Sequence, residues 1–163
     1  MKLMIRVWAV LCVTLLIGCS DPAGNGVGGV AGSADRGSID DPTSEAYFET
    51  SVGDRVFFAV DQSVLSAEAR DVLAGQATWL NGNAEYTVIV EGHADEQGTR
   101  EYNLALGARR ANSVREYLID AGVSGDRIQT LSYGKERPVE ICSLERCYAQ
   151  NRRGVTVLNN VGF

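Results

Sequence analysis

The clearest pattern of apolar positions lies in the C-terminal two thirds of the chain. Residues 52–60, 86–91, 127–133 and 153–159 are rich in β-branched or aromatic side chains, or alternate apolar and polar side chains, and predict four strands. Residues 66–80 and 103–121 carry apolar side chains at helical spacing, and Ser66 stands where an N-cap is expected. A short helix is also compatible with the cysteine-containing segment near residue 145. The alternation predicts an α/β fold (an α+β sandwich), with a mixed sheet of about four strands and helices packed on it.

The N-terminal residues have a different pattern. Lys2 and Arg6 precede an apolar run over residues 7–17, which is shorter than the roughly 20 residues that a membrane-spanning helix needs. This arrangement predicts a secretory signal over residues 1–18. The sequence Leu16-Ile17-Gly18-Cys19 resembles the lipobox of bacterial lipoproteins, which implies cleavage before Cys19 and lipid on its thiol; an ordinary signal with a chance cysteine is the alternative. Ser20 follows, which by the sorting rule of those lipoproteins implies the outer membrane.

Between signal and domain lies a segment with few apolar side chains. Glycine, serine and aspartate recur through residues 24–51. Such a composition buries too little surface to offset its ordering entropy. We therefore expect a lipid-attached flexible linker over residues 19–51 and a folded domain over residues 52–163.

The charge balance restricts the partners. The chain has a net charge of −6, and removal of the signal with its two cations leaves 13 basic and 21 acidic side chains, or −8. A surface this acidic argues against tracking a nucleic-acid backbone. It is also repelled by anionic lipid headgroups, so any membrane attachment has to come from something other than charge.

Two cysteines remain after the signal and the lipid site are set aside. Cys142 and Cys147 would share an oxidising compartment, where a disulfide is expected; two free thiols are the alternative. With one distant histidine they make no metal-ligand set, so neither a metal nor another cofactor is expected.

The candidate binding site follows the second predicted strand. Asp95 lies in the loop, and Asn103, Gly107 and Arg110 fall on one stripe of the next predicted helix. One interpretation is a structural Asp95–Arg110 ion pair. The other is two separated groups that hold a ligand with both charges, the arginine binding a carboxylate through its fork and the N-terminus of the helix near Asn103 supplying further donors.

Several linked motifs resemble the OmpA-like peptidoglycan-binding domain: residues 87–103, 106–112, 132–138 and 151–153. The resemblance covers about residues 52–158 and implies that the ligand is the meso-diaminopimelate of the peptidoglycan stem peptide, with Asp95 and Arg110 as its binding residues. The family's Phe-Asp pair falls on Val60 and Asp61, so the aspartate is kept and the aromatic contact is lost. Further candidates by the same resemblance are Asn103, Leu106 and the Asn151-Arg152-Arg153 region.

The resemblance also implies a function without catalysis. Lipoproteins of this family link the outer membrane to the wall and bind TolB in the Tol-Pal system, which draws the outer membrane inward during division. The alternatives are a chain that acts mainly as a protein-interaction hub, or a wall-modifying enzyme. His93 is the only histidine, and no nucleophile or ligand cluster accompanies it, so we expect it to be structural or to line the site. For Arg152 and Arg153, a solvated or ion-paired face and a wall contact remain open.

Overall fold

The computed structural model of the protein describes residues 36–160. Four strands form one mixed sheet in the order β1-β4-β2-β3, which confirms the predicted architecture. The strands are β1 (Arg55–Phe57), β2 (Tyr86–His93), β3 (Ile128–Gly134) and β4 (Arg153–Asn160). β4 runs antiparallel to both of its neighbours, whereas β2 and β3 are parallel.

The two long helices and the short helix near residue 145 fall at or near the predicted places, whereas the short helix at residues 45–47 was not predicted. They are α1 (Glu45–Tyr47), α2 (Ala67–Gly82), α3 (Arg100–Asp120) and α4 (Glu145–Asn151), with a π-helical segment at Phe48–Gly53 and a 3-10 turn at Gly125–Arg127. Ser66 caps α2 as expected, because its hydroxyl accepts a hydrogen bond from the backbone N–H of Ala69. Within residues 36–160, none of these helices is long and apolar enough to cross a bilayer.

The hydrophobic core lies between α2, α3 and one face of the sheet. Val88 and Val90 of β2 are buried there, while Ile89 between them is only half-buried on the other face. This alternation follows from the period of two in a strand. The helices contribute the remaining buried aliphatic side chains, among them Leu73, Leu80, Val114 and Leu118.

The predicted start of the domain at residue 52 is wrong, because residues 36–51 pack on the fold. Phe48 is fully buried, and its ring lies 4.9 Å from that of Trp79 between centroids. The indole N–H of Trp79 donates to the carbonyl of Pro42 at 2.7 Å, and the hydroxyl of Tyr86 donates to Thr43 at 3.1 Å. These contacts tie a segment of polar composition to the folded domain. The predicted signal, Cys19 and residues 19–35 of the predicted linker lie outside the described residues.

Two other predicted boundaries also shift. The strand predicted over residues 52–60 is limited to Arg55–Phe57, since the chain before it is π-helical and Gly53 has a φ of +92°. The helix predicted from Asn103 begins at Arg100, because the side chain of Thr99 caps it by accepting from the N–H of Tyr102. Near the start of this helix Leu104 is exposed, whereas Leu106 is buried.

A close approach between β2 and α3 positions the site. A Cβ added to Gly92 would lie 1.8 Å from the carbonyl oxygen of Gly107. Glycine at both positions lets the helix backbone rest directly on the strand. As a result, the first two turns of α3 lie against the end of β2 and the loop that follows it.

Candidate functional site

A cleft of about 230 Å³ opens where the loop after β2 meets the first turns of α3 and the segment after β1. Six of the candidate residues line it: Val60, Asp61, Asp95, Asn103, Leu106 and Arg110. The candidate region Asn151-Arg152-Arg153 does not line it. Three further residues, Gln97, Gly98 and Tyr102, complete the lining. None of these three was predicted from the sequence, although all lie within the motif of residues 87–103.

Arg110 forms the floor of this cleft and is fully buried. Its guanidinium donates to three backbone carbonyls, those of Gln62 at 2.8 Å, His93 at 2.8 Å and Ala59 at 3.1 Å. Burial lowers the pKa of Arg110 to about 10, partly offset by the charge of Asp95, so the group remains a cation at neutral pH. The arginine therefore ties the chain after β1 to the end of β2 and places a positive charge beneath the cleft.

Asp95 is not paired with Arg110, so of the two interpretations of these residues the structural Asp95–Arg110 ion pair is wrong. Its Oδ2 accepts from Nη1 of Arg152 at 3.1 Å, and its Oδ1 accepts from the backbone N–H of Gln97 at 3.2 Å. Arg152 lies next to the site because β4 pairs with β2 and brings the start of β4 beside the end of β2. Sequence spacing could not show this contact, since 57 positions separate the two residues.

Arg152 connects two acidic side chains and is not solvated. Besides Asp95, its Nη2 donates to Glu145 at 2.5 Å, and its Nε donates to the carbonyl of Phe58 at 3.2 Å. Burial alone would lower the pKa of Arg152, but the hydrogen bonds to Glu145 and Asp95 outweigh it and raise the pKa. Arg153 is also buried, and it donates to the carbonyls of Asn151 and Arg137. The interpretation of the basic pair as a solvated face is therefore wrong, while an ion-paired Arg152 is confirmed.

Asp61 and Val60 form the outer rim. Asp61 has a φ of +57°, a conformation that aspartate tolerates better than most residues, and its carboxylate accepts a hydrogen bond from the hydroxyl of Tyr102. That hydrogen bond raises the pKa of Tyr102. Val60 is exposed, as is Tyr102, so an apolar side chain and an aromatic ring both border the opening.

Asn103 and Leu106 form the inner wall on α3, and both are buried. The side-chain amide of Asn103 donates to the carbonyl of Gln97 at 2.8 Å, which closes the loop onto the helix. Its backbone N–H donates to the carbonyl of Thr99. The helix N-terminus predicted at Asn103 therefore does not supply free donors there.

His93 is buried beneath the loop and does not line the cleft. Its ring stacks on that of Tyr133 with 5.5 Å between centroids, and neither ring nitrogen has a hydrogen-bond partner among the described residues. Burial first, and then the charges of Arg153 and Arg137, lower the pKa of His93 to about 3. The Glu91 carboxylate, 3.4 Å from Nε2, acts in the opposite direction but does not outweigh these effects. A neutral, enclosed imidazole fits the predicted structural role.

The two cysteines form the predicted disulfide. Cys142 and Cys147 are bonded, with their Cα atoms 5.9 Å apart, and Cys147 belongs to α4. In the part of the chain that the structure describes, no group of three or more histidine, cysteine or acidic side chains is arranged to hold a metal ion.

Comparisons with known proteins show the family and the fold of this chain. The sequence profile of the OmpA family matches residues 57–152. A peptidoglycan-associated lipoprotein of Mesorhizobium japonicum is 52% identical over 132 residues, which are 81% of this chain and 75% of that protein. Another, from Rhizobium meliloti, is 49% identical over 161 residues, which are 94% of this chain and 87% of that protein. The crystal structure of the peptidoglycan-associated lipoprotein from Burkholderia pseudomallei superposes with a TM-score of 0.66 at 34% identity, covering 74% of this chain and 98% of the other.

Proposed function

This chain belongs to the peptidoglycan-associated lipoproteins of the OmpA family, and from that premise we propose that its domain binds peptidoglycan non-covalently and links the envelope membrane to the wall. The finer proposal is that the cleft holds the side-chain end of meso-diaminopimelate in the stem peptide. One observation carries it: two carboxylates and a buried arginine surround a single cleft, and the ligand end has an ammonium and a carboxylate.

The ammonium group would contact the acidic side of the cleft. The Asp95 oxygens each accept one hydrogen bond, and a carboxylate oxygen has a second lone pair to offer. Asp61 on the rim adds a second negative charge. An ammonium with three N–H donors suits such a pair of acceptors.

The ligand carboxylate would be held by the charge of Arg110. Three of the five N–H groups of this guanidinium are donated to backbone carbonyls, so the free fork expected from the sequence is not the arrangement here. Arg110 is fully buried, lines the floor of the cleft and keeps its positive charge at neutral pH, so its charge would attract the ligand carboxylate. Because Arg110 is shielded from solvent, salt screens this charge weakly.

A sedimentation assay with isolated sacculi tests the proposal. We expect full-length detergent-solubilised Asp95→Asn to bind the wall roughly 10- to 100-fold more weakly, since a hydrogen bond to a charged group contributes about 1.5–3 kcal/mol. The exposed Asp120 on α3 provides the matched control, and Asp120→Asn should pellet like the parent protein. Equal pelleting of both variants would refute the site.

The wall itself can be varied to test the other charge. A wall with lysine in place of diaminopimelate keeps the ammonium and loses only the carboxylate. Arg110→Lys should weaken binding to the diaminopimelate wall. The parent protein should bind the lysine wall no better than the Arg110→Lys variant binds the diaminopimelate wall or the lysine wall. Release of soluble muropeptides in these assays would instead support an enzyme.

The location and partners complete the proposal. We place the domain in the periplasm on a lipid at Cys19 in the outer membrane, where many copies facing one polymer bind with avidity. The motif resemblance supports TolB as a protein partner and a role in the Tol-Pal system during division. Co-purification tests this second role, with the tagged full-length protein as bait. TolB should be recovered with this bait and should be absent when the tag alone is the bait.

A further inference from the structure

The acidic loop that lines the cleft is held on its outer side by α4 and the residues around it. Glu96 accepts hydrogen bonds from the hydroxyl of Tyr148 at 2.9 Å and from that of Ser143 at 3.3 Å. Glu145, the first residue of α4, is joined through Arg152 to Asp95. Both consecutive acids of the loop are therefore tied to one short segment, residues 143–152.

That segment has little intrinsic stability. α4 has only seven residues, and its N-cap Leu144 makes no side-chain capping bond. Helices this short are marginal without tertiary support. Ile141 and Leu144 before it are exposed, so apolar burial does not hold the start of the helix.

The disulfide supplies the missing support. Cys147 is buried in α4, and its bond to Cys142 fixes the chain entering the helix. At the other end of the helix, Asn151 accepts from the backbone N–H groups of Val139 and Glu140, which closes the same loop. The crosslink thus lies directly between an exposed loop and the helix that carries Glu145 and Tyr148.

We propose that Cys142 and Cys147 are positioning residues for the binding cleft: their disulfide fixes α4, and α4 holds Asp95 and Glu96 in the arrangement that binds the ligand. The identity of that ligand rests on the proposed function. Wall binding accordingly depends on oxidation of this pair. Reduction consumes two electrons and two protons and yields two thiols; dithiothreitol supplies both and closes to its own cyclic disulfide.

The size of the effect follows from the ring that the disulfide closes. Loop-closure entropy for so short a ring amounts to a factor of about 40 in the population of the open segment. Only part of this reaches the cleft, because Lys135 also holds the acidic loop through the carbonyls of Glu96 and Gly98. We expect reduced protein to bind sacculi roughly three- to tenfold more weakly than oxidised protein.

The first experiment compares the full-length protein with and without dithiothreitol in the sacculus assay. The variant Cys142→Ser with Cys147→Ser should show the weaker binding in both conditions, which controls for effects of the reductant on the wall. Equal affinity of the oxidised parent, the reduced parent and this variant overturns the proposal.

A double-mutant cycle separates positioning from general loss of stability. Glu145→Gln with Tyr148→Phe should weaken binding of the oxidised protein to a similar extent, and the exposed Glu116→Gln on α3 should not. Adding the serine substitutions should bring little further loss, because both changes act through the same contacts. Fully additive losses would overturn the proposal.

Hydrogen exchange gives a readout that does not depend on the ligand. Reduction should increase amide exchange at Gln97, whose N–H is bonded to Asp95, while exchange in β2 and β4 stays unchanged. Unchanged exchange at Gln97 refutes the positioning role. Increased exchange there, together with an Asp95→Asn variant that still binds the wall, would instead refute the proposed function alone.

Discussion

The single histidine makes the pH dependence of stability a sharp test of the structure. His93 is buried, and its pKa is lowered to about 3 by burial and by Arg153 and Arg137, whereas an unfolded histidine has a pKa of about 6.5. A base whose folded pKa is depressed gives stability that is complete above the unfolded pKa. That stability is lost as pH falls below about 6.5, because protons bind only the unfolded chain until pH approaches 3.

The magnitude follows from linkage. Between pH 7 and pH 5 the free energy of unfolding should fall by about 2 kcal/mol, with a slope approaching 1.4 kcal/mol per pH unit. Because the chain has only one histidine, comparison with a variant that lacks it isolates this contribution.

Urea unfolding at a series of pH values measures this slope. Trp79 is suited as the fluorescent probe because it is buried against Phe48 and Tyr86. The variant His93→Gln cannot titrate, so its free energy of unfolding should be nearly constant from pH 7 to pH 5. The carboxylate of Glu91 decides the alternative: if its attraction outweighed burial, the pKa would be raised. Stability of the parent would then increase as pH falls, and that opposite sign would refute the reasoning.

Four other changes test the packing of the fold. Gly92→Ala should lower the free energy of unfolding by about 3 kcal/mol or more, because the added Cβ forces β2 and α3 apart. Gly75→Ala should instead stabilise α2 by roughly 0.5–1 kcal/mol, because its added Cβ meets only ordinary contacts. Urea unfolding measures both changes. Phe48→Ala should lower the free energy of unfolding by about 3–5 kcal/mol in the same assay. An unchanged free energy would mean that residues 36–51 belong to the flexible linker and not to the folded domain. Replacing Cys142 and Cys147 by serine should lower thermal stability by at most about 2 kcal/mol, measured by calorimetry.

The sequence was informative wherever a local rule decides the structure. The helical spacing and the cap at Ser66 predict α2, and the β-branched run predicts β2. Ordering of residues 36–51 depends on Phe48 reaching Trp79, a contact between positions 31 apart that composition does not reveal. The strand β1 starts later than predicted because Gly53 before it has a positive φ. The apolar run of the sequence does not reveal this conformation, which depends on tertiary context.

In the candidate site, too, the sequence predicted which residues come together but not which hydrogen bonds they make. Motif resemblance gathered Asp61, Asp95 and Arg110, and the fold places all three around one cleft. Their hydrogen bonds could not be read from spacing, because a buried arginine takes whichever acceptors the surrounding backbone presents. The carbonyls around Arg110 come from the chain after β1 and from the end of β2, and the partner of Asp95 comes from the start of β4. Sheet order therefore determines the electrostatics of the cleft. Because β4 lies between β1 and β2, Arg152 is close enough to pair with Asp95. Arg110 is not paired with Asp95 and places its positive charge at the floor of the cleft.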